Sequence, residues 1–136
     1  MATWLSTHGI GAIKDSHSTF SIAADAGSAI VHPTDANDTK GWIHFTIPSP
    51  PASSPNLRAV AVNFSSHSAT VERVQVYLAN SLVFDESNLQ MTTHYTSDIA
   101  SAASTVYKGK GIAVSVYVEF DNLNSKLKFQ SVGVQV

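Results

Sequence analysis

Successive side chains on a β-strand point to opposite faces, so a strand with one buried face alternates apolar and polar residues. This chain does so repeatedly. Ile112, Val114, Val116, Val118 and Phe120 alternate with Ala113, Ser115, Tyr117 and Glu119 over nine residues. Val60, Val62 and Phe64 alternate with Ala59, Ala61 and Asn63, and Val74, Val76 and Leu78 with Arg73, Gln75 and Tyr77. Leu127 and Phe129 share one parity and Val132, Val134 and Val136 the other, which predicts a β-bulge near Gln130–Ser131. In the segment 41–47, Ile43, Phe45 and Ile47 take one face and Trp42, His44 and Thr46 the other.

Weaker runs predict strands at 17–23, 82–84 and 105–108, the last closing a hairpin on 111–120 across Lys108-Gly109-Lys110-Gly111. The total is about eight strands. Breakers separate them. The stretch 48–55 holds four prolines, which lack a backbone donor and lock φ, so it reads as a stiff crossover. Residues 32–40 and 121–125 read as turns, and the small Ala-rich stretch 97–104 as at most two turns of helix capped by Ser97 or Asp98. The fold expected is all-β: a two-sheet antiparallel sandwich of jelly-roll or Greek-key type, forming one domain over 1–136.

Several function classes lose support at this level. Eight Lys and Arg stand scattered against ten Asp and Glu, so neither a nucleic acid nor an anionic membrane is an expected partner. No cysteine is present, so thiolate chemistry is excluded. Residues 1–8 carry no basic, apolar leader, and the expected location is the cytoplasm unless a leader has been removed. The polar surface is built from 19 Ser and 11 Thr. Low charge also suits self-association, and a homo-oligomer is expected. There is no G-x-S-x-G elbow, and Gly9-Ile10-Gly11 opens no helix, so it is not a dinucleotide fingerprint. Asp85 and Glu86, read as a loop, would face opposite ways on a strand and could not flank one bond.

Two stretches, Trp4-Leu5-Ser6-Thr7-His8-Gly9 and Gly41-Trp42-Ile43-His44-Phe45-Thr46-Ile47-Pro48-Ser49-Pro50, carry a resemblance. Together they resemble a family of small uncharacterised β-sandwich proteins with an N-terminal Trp and His-Gly followed by a G-W-x-H-F-x-I-P-x-P segment. The resemblance covers roughly residues 1–85. It implies the sandwich fold and no activity.

The residues that could bind something follow from the same alternation. If Ile43 and Phe45 face the core, Trp42 and His44 face outward, and an outward Trp is a platform for the apolar face of a sugar ring. Trp42 and His44, with Trp4 and His8, are the expected ligand-binding residues of a lectin-like, non-catalytic module for carbohydrate or another neutral polar ligand. The competing readings bury Trp42 in a minor core or between subunits of a self-assembling protein. A third is a small enzyme with a site assembled from loops. The six histidines show no metal-ligand spacing; His8 and His44, in the two resembling segments, could meet in space, and the alternative reads the histidines as loop or edge residues, or His8 and His44 as structural hydrogen-bonding groups. Asp35, Asn37 and Asp38 cluster oxygen ligands suited to a structural calcium, although Lys40 and Thr46 break the EF-hand pattern. A plain Asx turn is the alternative. No other cofactor is implied.

Overall fold

The computed structural model describes residues 4–25, 27–48, 57–99 and 111–136. Among these residues eleven strands form two antiparallel sheets, three more than the eight that the alternation predicts. They are β1 (Trp4–His8), β2 (Ile13–Lys14), β3 (Ser21–Asp25), β4 (Ser28–His32), β5 (Lys40–Ile47), β6 (Ala59–His67), β7 (Ala69–Leu78), β8 (Ser81–Glu86), β9 (Tyr95–Asp98), β10 (Ile112–Phe120) and β11 (Lys126–Gln135). One sheet runs β3-β4-β11-β6-β9, with β1 also paired to β11, and the other runs β2-β5-β10-β7-β8. Except for the hairpins β3–β4 and β7–β8, consecutive strands lie in different sheets, which is the jelly-roll type of winding. No helix among the described residues is long and apolar enough to cross a membrane.

Periodicity misses β1, β2, β4 and β9; β4 is a five-residue inner strand, between β3 and β11, that buries Ala29 and Val31. β1, β2 and β9 bury few side chains, and pairing defines them more than pattern does. Ser97 and Asp98 do not cap a helix. They extend β9, opposite Val60 and Ala59. Asp85 and Glu86 are the end of β8 and not a loop, and they do point apart: Asp85 meets Arg73, and Glu86 accepts from the Tyr95 hydroxyl. Residues 100–104, the strand expected at 105–108, its turn up to Lys110, and 49–55 of the proline stretch lie outside the described residues.

Between the sheets lies one core. Ile43 and Phe45 of β5, Val114, Val116 and Val118 of β10, and Val74 and Val76 of β7 meet Val60 and Val62 of β6 and Leu127, Phe129, Val132 and Val134 of β11, all of them fully buried. Phe129 contacts Phe45 of the other sheet (ring centroids 5.3 Å apart) and Phe64 of its own (5.9 Å). The expected bulge is present: Phe129 pairs with Phe64 and Ser131 with Asn63, leaving Gln130 as the extra residue. It divides β11 in function. Residues 127–129 pair with β4, and residues 131–135 pair with β1.

Gly9 marks this junction. The chain leaves β1 directly against the bulge, and a Cβ at Gly9 would stand 1.8 Å from the Phe129 carbonyl oxygen. Backbone cannot yield as a side-chain tip does, so only glycine fits. Gly9→Ala is expected to destabilise the fold by about 2 kcal/mol or more, near the upper part of the overpacking range, seen as a lower urea midpoint with an unchanged slope. Gly111→Ala, in open space with an unstrained φ, is the control and should change the midpoint little.

Candidate functional site

The outer face of the five-stranded sheet is the by-product of its inner one. Burying Ile43, Phe45 and Ile47 sends Trp42 and His44 outward from β5. On β10, burial of Val114, Val116 and Val118 presents Ser115 and Tyr117. On β7, Val74 and Val76 leave Arg73, Gln75 and Tyr77 outward. Pairing aligns these positions into rows. Trp42, Tyr117 and Arg73 stand side by side across three strands, as do His44, Ser115, Gln75 and Asp85 across four. A bulge in β7 makes Glu72 the extra residue, which brings Arg73 into the first row.

Aromatic and charged contacts lock the first row. Trp42 and Tyr117 meet edge to face, with centroids 5.1 Å apart and planes at 65°. The Arg73 guanidinium lies 5.8 Å from the Trp42 ring centroid, within cation–π range. Arg73 also grips Asp85 with two bonds, Nε to Oδ1 at 2.7 Å and Nη2 to Oδ2 at 2.5 Å. That pair, with help from Gln75, holds the Asp85 carboxyl below its ordinary range. Gln75 is itself nearly buried and accepts from the Tyr77 hydroxyl at 2.9 Å.

The second row contains a hydrogen-bond chain. His44 Nδ1 lies 2.7 Å from Ser115 Oγ, and Nε2 lies 2.8 Å from Asp15 Oδ1. Asp15 follows β2 and is placed by its own N–H, which donates to the Trp42 carbonyl. Serine, histidine and aspartate in series suggest a hydrolytic triad, but Ser115 is only 3% exposed. From the floor of the outer face, on the strand between β5 and β7, Ser115 joins Asp15 in fixing the imidazole plane beside Trp42. Trp42 separates two clefts and lines both. One, of about 400 Å³, is completed by Glu72, Arg73, Ser87, Asn88 and Tyr117. The other, of about 510 Å³, is completed by Asp15, His44, Gln75, Tyr77 and Ser115.

The expected binding residues divide into two groups. Trp42 and His44 sit together at the site, and Trp42 is half-buried rather than sunk in a minor core. Trp4 and His8 lie on β1 of the other sheet, facing outward on the opposite side of the sandwich, because Leu5 between them turns toward the core. His8 does not bond His44. Its Nδ1 accepts from the Ile10 N–H and caps the 3₁₀ turn Gly9–Gly11. The 35–38 loop closes on itself: Asp35 Oδ1 accepts from the Asn37 N–H, and Asp38 Oδ2 takes both the N–H and the hydroxyl of Thr19. That is the Asx-turn arrangement, and among the described residues no group of three or more His, Cys, Asp or Glu is placed to hold a metal ion. Sequence reasoning missed Asp15, Arg73, Tyr77, Tyr117 and Asp85 as site residues. The outward parity of all but Asp15 and Asp85 was available, but strand order was not.

No protein-family model matches the sequence, and no curated protein matches it. Solved structures match it in shape. A low-affinity xylan-binding module of family 86 from the gut symbiont Roseburia intestinalis aligns over 97% of this chain and 94% of its own, with a TM-score of 0.55 at 11% identity. A family 29 carbohydrate-binding module from Piromyces equi aligns over 98% and 90%, with a TM-score of 0.52 at 9% identity. A family 36 domain of a multidomain xylanase from the hindgut metagenome of Trinervitermes trinervoides aligns over 98% and 96%, with a TM-score of 0.50 at 8% identity. At such identities the likeness establishes the fold, the β-sandwich these modules share.

The Asp15–His44 pair predicts a pH dependence. The hydrogen bond from His44 is the largest influence on Asp15 and lowers its pKa below 3.8, against an opposing effect of partial burial. A carboxyl depressed on folding stabilises the fold above its unfolded pKa, and that contribution disappears as the pH falls through the folded value. Asp15→Asn should therefore cost stability at pH 6 and converge with wild type toward pH 2. Because both groups are partly exposed, the gap should be no more than about 1 kcal/mol. Urea midpoints across pH 2–7 check this.

Proposed function

We propose that the chain is a non-catalytic carbohydrate-binding module whose ligand lies across the outer face of the five-stranded sheet. The observation that carries the reading is Trp42: a large aromatic side chain on an outer sheet face, half open, braced by Tyr117 and Arg73 and flanked by clefts rich in hydrogen-bonding groups. A pyranose ring has an apolar CH face and a rim of hydroxyls. Trp42, Tyr117 and Tyr77 offer the apolar surface, and Asp15, His44, Asp85, Ser87 and Asn88 offer partners for the rim. Arg73 is paired with Asp85 and His44 hydrogen-bonds Asp15, while the buried Oε2 of Glu72 beside the first cleft has no partner among the described residues, an arrangement that suits the hydroxyl donors of a neutral ligand better than an anion. Modules of the same fold that bind xylan or belong to a xylanase support the same class.

Affinity electrophoresis in gels containing soluble xylan tests the proposal, backed by calorimetry and Trp emission. Wild type should be retarded. Trp42→Ala should bind at least tenfold more weakly, about 1.4 kcal/mol, while Trp4→Ala should bind as wild type. Absence of retardation across xylan and a panel of neutral β-glycans would overturn the reading. If Trp42→Ser instead dissociated an oligomer, the face would be a subunit interface.

A further inference from the structure

We propose that the outer face of the other sheet carries a second site, which takes the carboxylates of an acidic polysaccharide. The choice of a polysaccharide rests on the carbohydrate-binding reading above; the anion site itself rests on residues of β6 and β11 alone. Lys126 and Lys128 flank the inward Leu127, so both ammonium groups leave the same side of β11. Two residues apart on a strand, their Cα atoms are about 7 Å from one another. Pairing sets His67 directly beside Lys126 and Ser65 directly beside Lys128. These four side chains and Ser66 line a cleft of about 370 Å³ in which no carboxylate takes part.

The charge pattern separates this face from the first. On the five-stranded sheet Lys40 pairs with Glu119, Arg73 with Asp85 and His44 with Asp15. Among the described residues neither Lys126 nor Lys128 has such a partner. Like charges held close on one sheet face repel, so the arrangement costs stability unless an anion lies between them. Ser65, His67 and Lys126 are exposed, and Ser66 already donates to the Thr92 carbonyl, which leaves Ser65 as the hydroxyl turned to the cleft. Two ammonium groups and one hydroxyl match the oxygens of one or two carboxylates. They fall short of the cationic stripe that tracks a nucleic-acid backbone.

Affinity electrophoresis in polygalacturonate at 20 mM and 200 mM salt tests the site. Wild type should be retarded at low salt and released at high salt, as expected for exposed charges. Lys126→Gln/Lys128→Gln should weaken binding at least fivefold while keeping the melting temperature and the xylan behaviour of wild type. Trp42→Ala should leave polygalacturonate binding intact. Retention of polygalacturonate but not xylan would leave this proposal standing and remove the other. No retardation at low salt, equal retardation of the double variant, or equal retardation of wild type by single-stranded DNA would overturn it.

Discussion

The inward alternation of β5, β10 and β7 is the constraint on which both the fold and its surface depend. Ile43, Phe45, Val114, Val116, Val74 and Val76 leave water together, and each is completely buried. At about 25 cal/mol per Å² of apolar area, such burial is the dominant favourable term for a sandwich. Because side chains change face at every residue, this burial also decides which side chains remain outside. A one-residue slip in β5 would expose Ile43 and Phe45 and drive Trp42 and His44 into a dry core, so the pressure that holds the register also holds the platform.

Position alone would leave long side chains free to rotate, and ordering them on binding costs free energy. Here contacts within the protein have already done the ordering. Tyr117 and Arg73 brace the Trp42 ring, Asp85 holds the guanidinium with two bonds, and Ser115 and Asp15 clamp the imaidazole of His44 from both nitrogens. A ligand meeting this surface finds its donors, acceptors and apolar area already oriented. Strands carry these groups, and strands hold side chains more firmly than loops do.

Much of the fold was legible in the residues because burial writes a period of two. The bulge at Gln130 was visible as a change of parity between Phe129 and Val132, and the structure places it there. Short edge strands were not legible. Ile13–Lys14 is two exposed residues held by pairing to His44 and Ile43, and no local pattern encodes that. The site was half legible. Trp42 and His44 follow from parity, and so does the outward side of Arg73, Gln75, Tyr77, Ser115 and Tyr117. Which of these stand beside Trp42 depends on the order β5-β10-β7-β8, a property of long-range pairing that periodicity does not contain. Trp4 and His8 group with Trp42 and His44 at the level of sequence because all four are aromatic or imidazole side chains in the two motif-bearing segments, 4–9 and 41–50. Pairing of β1 to β11 sends them to the opposite side of the sandwich.

The same pairing explains how one small chain keeps two chemically distinct faces. Each sheet shields its outer side chains from those of the other with the full thickness of the core, about 10 Å between sheets. Outer side chains add to that separation, and both sets of charges stand against salt solution, which screens exposed groups over about 10 Å, so the ammonium groups of β11 act on the opposite face only weakly. Lys126 and Lys128 can therefore remain uncompensated without disturbing the paired charges around Trp42. A β-sandwich of this size, with few charges overall, separates an aromatic face from a cationic one simply by assigning them to different sheets.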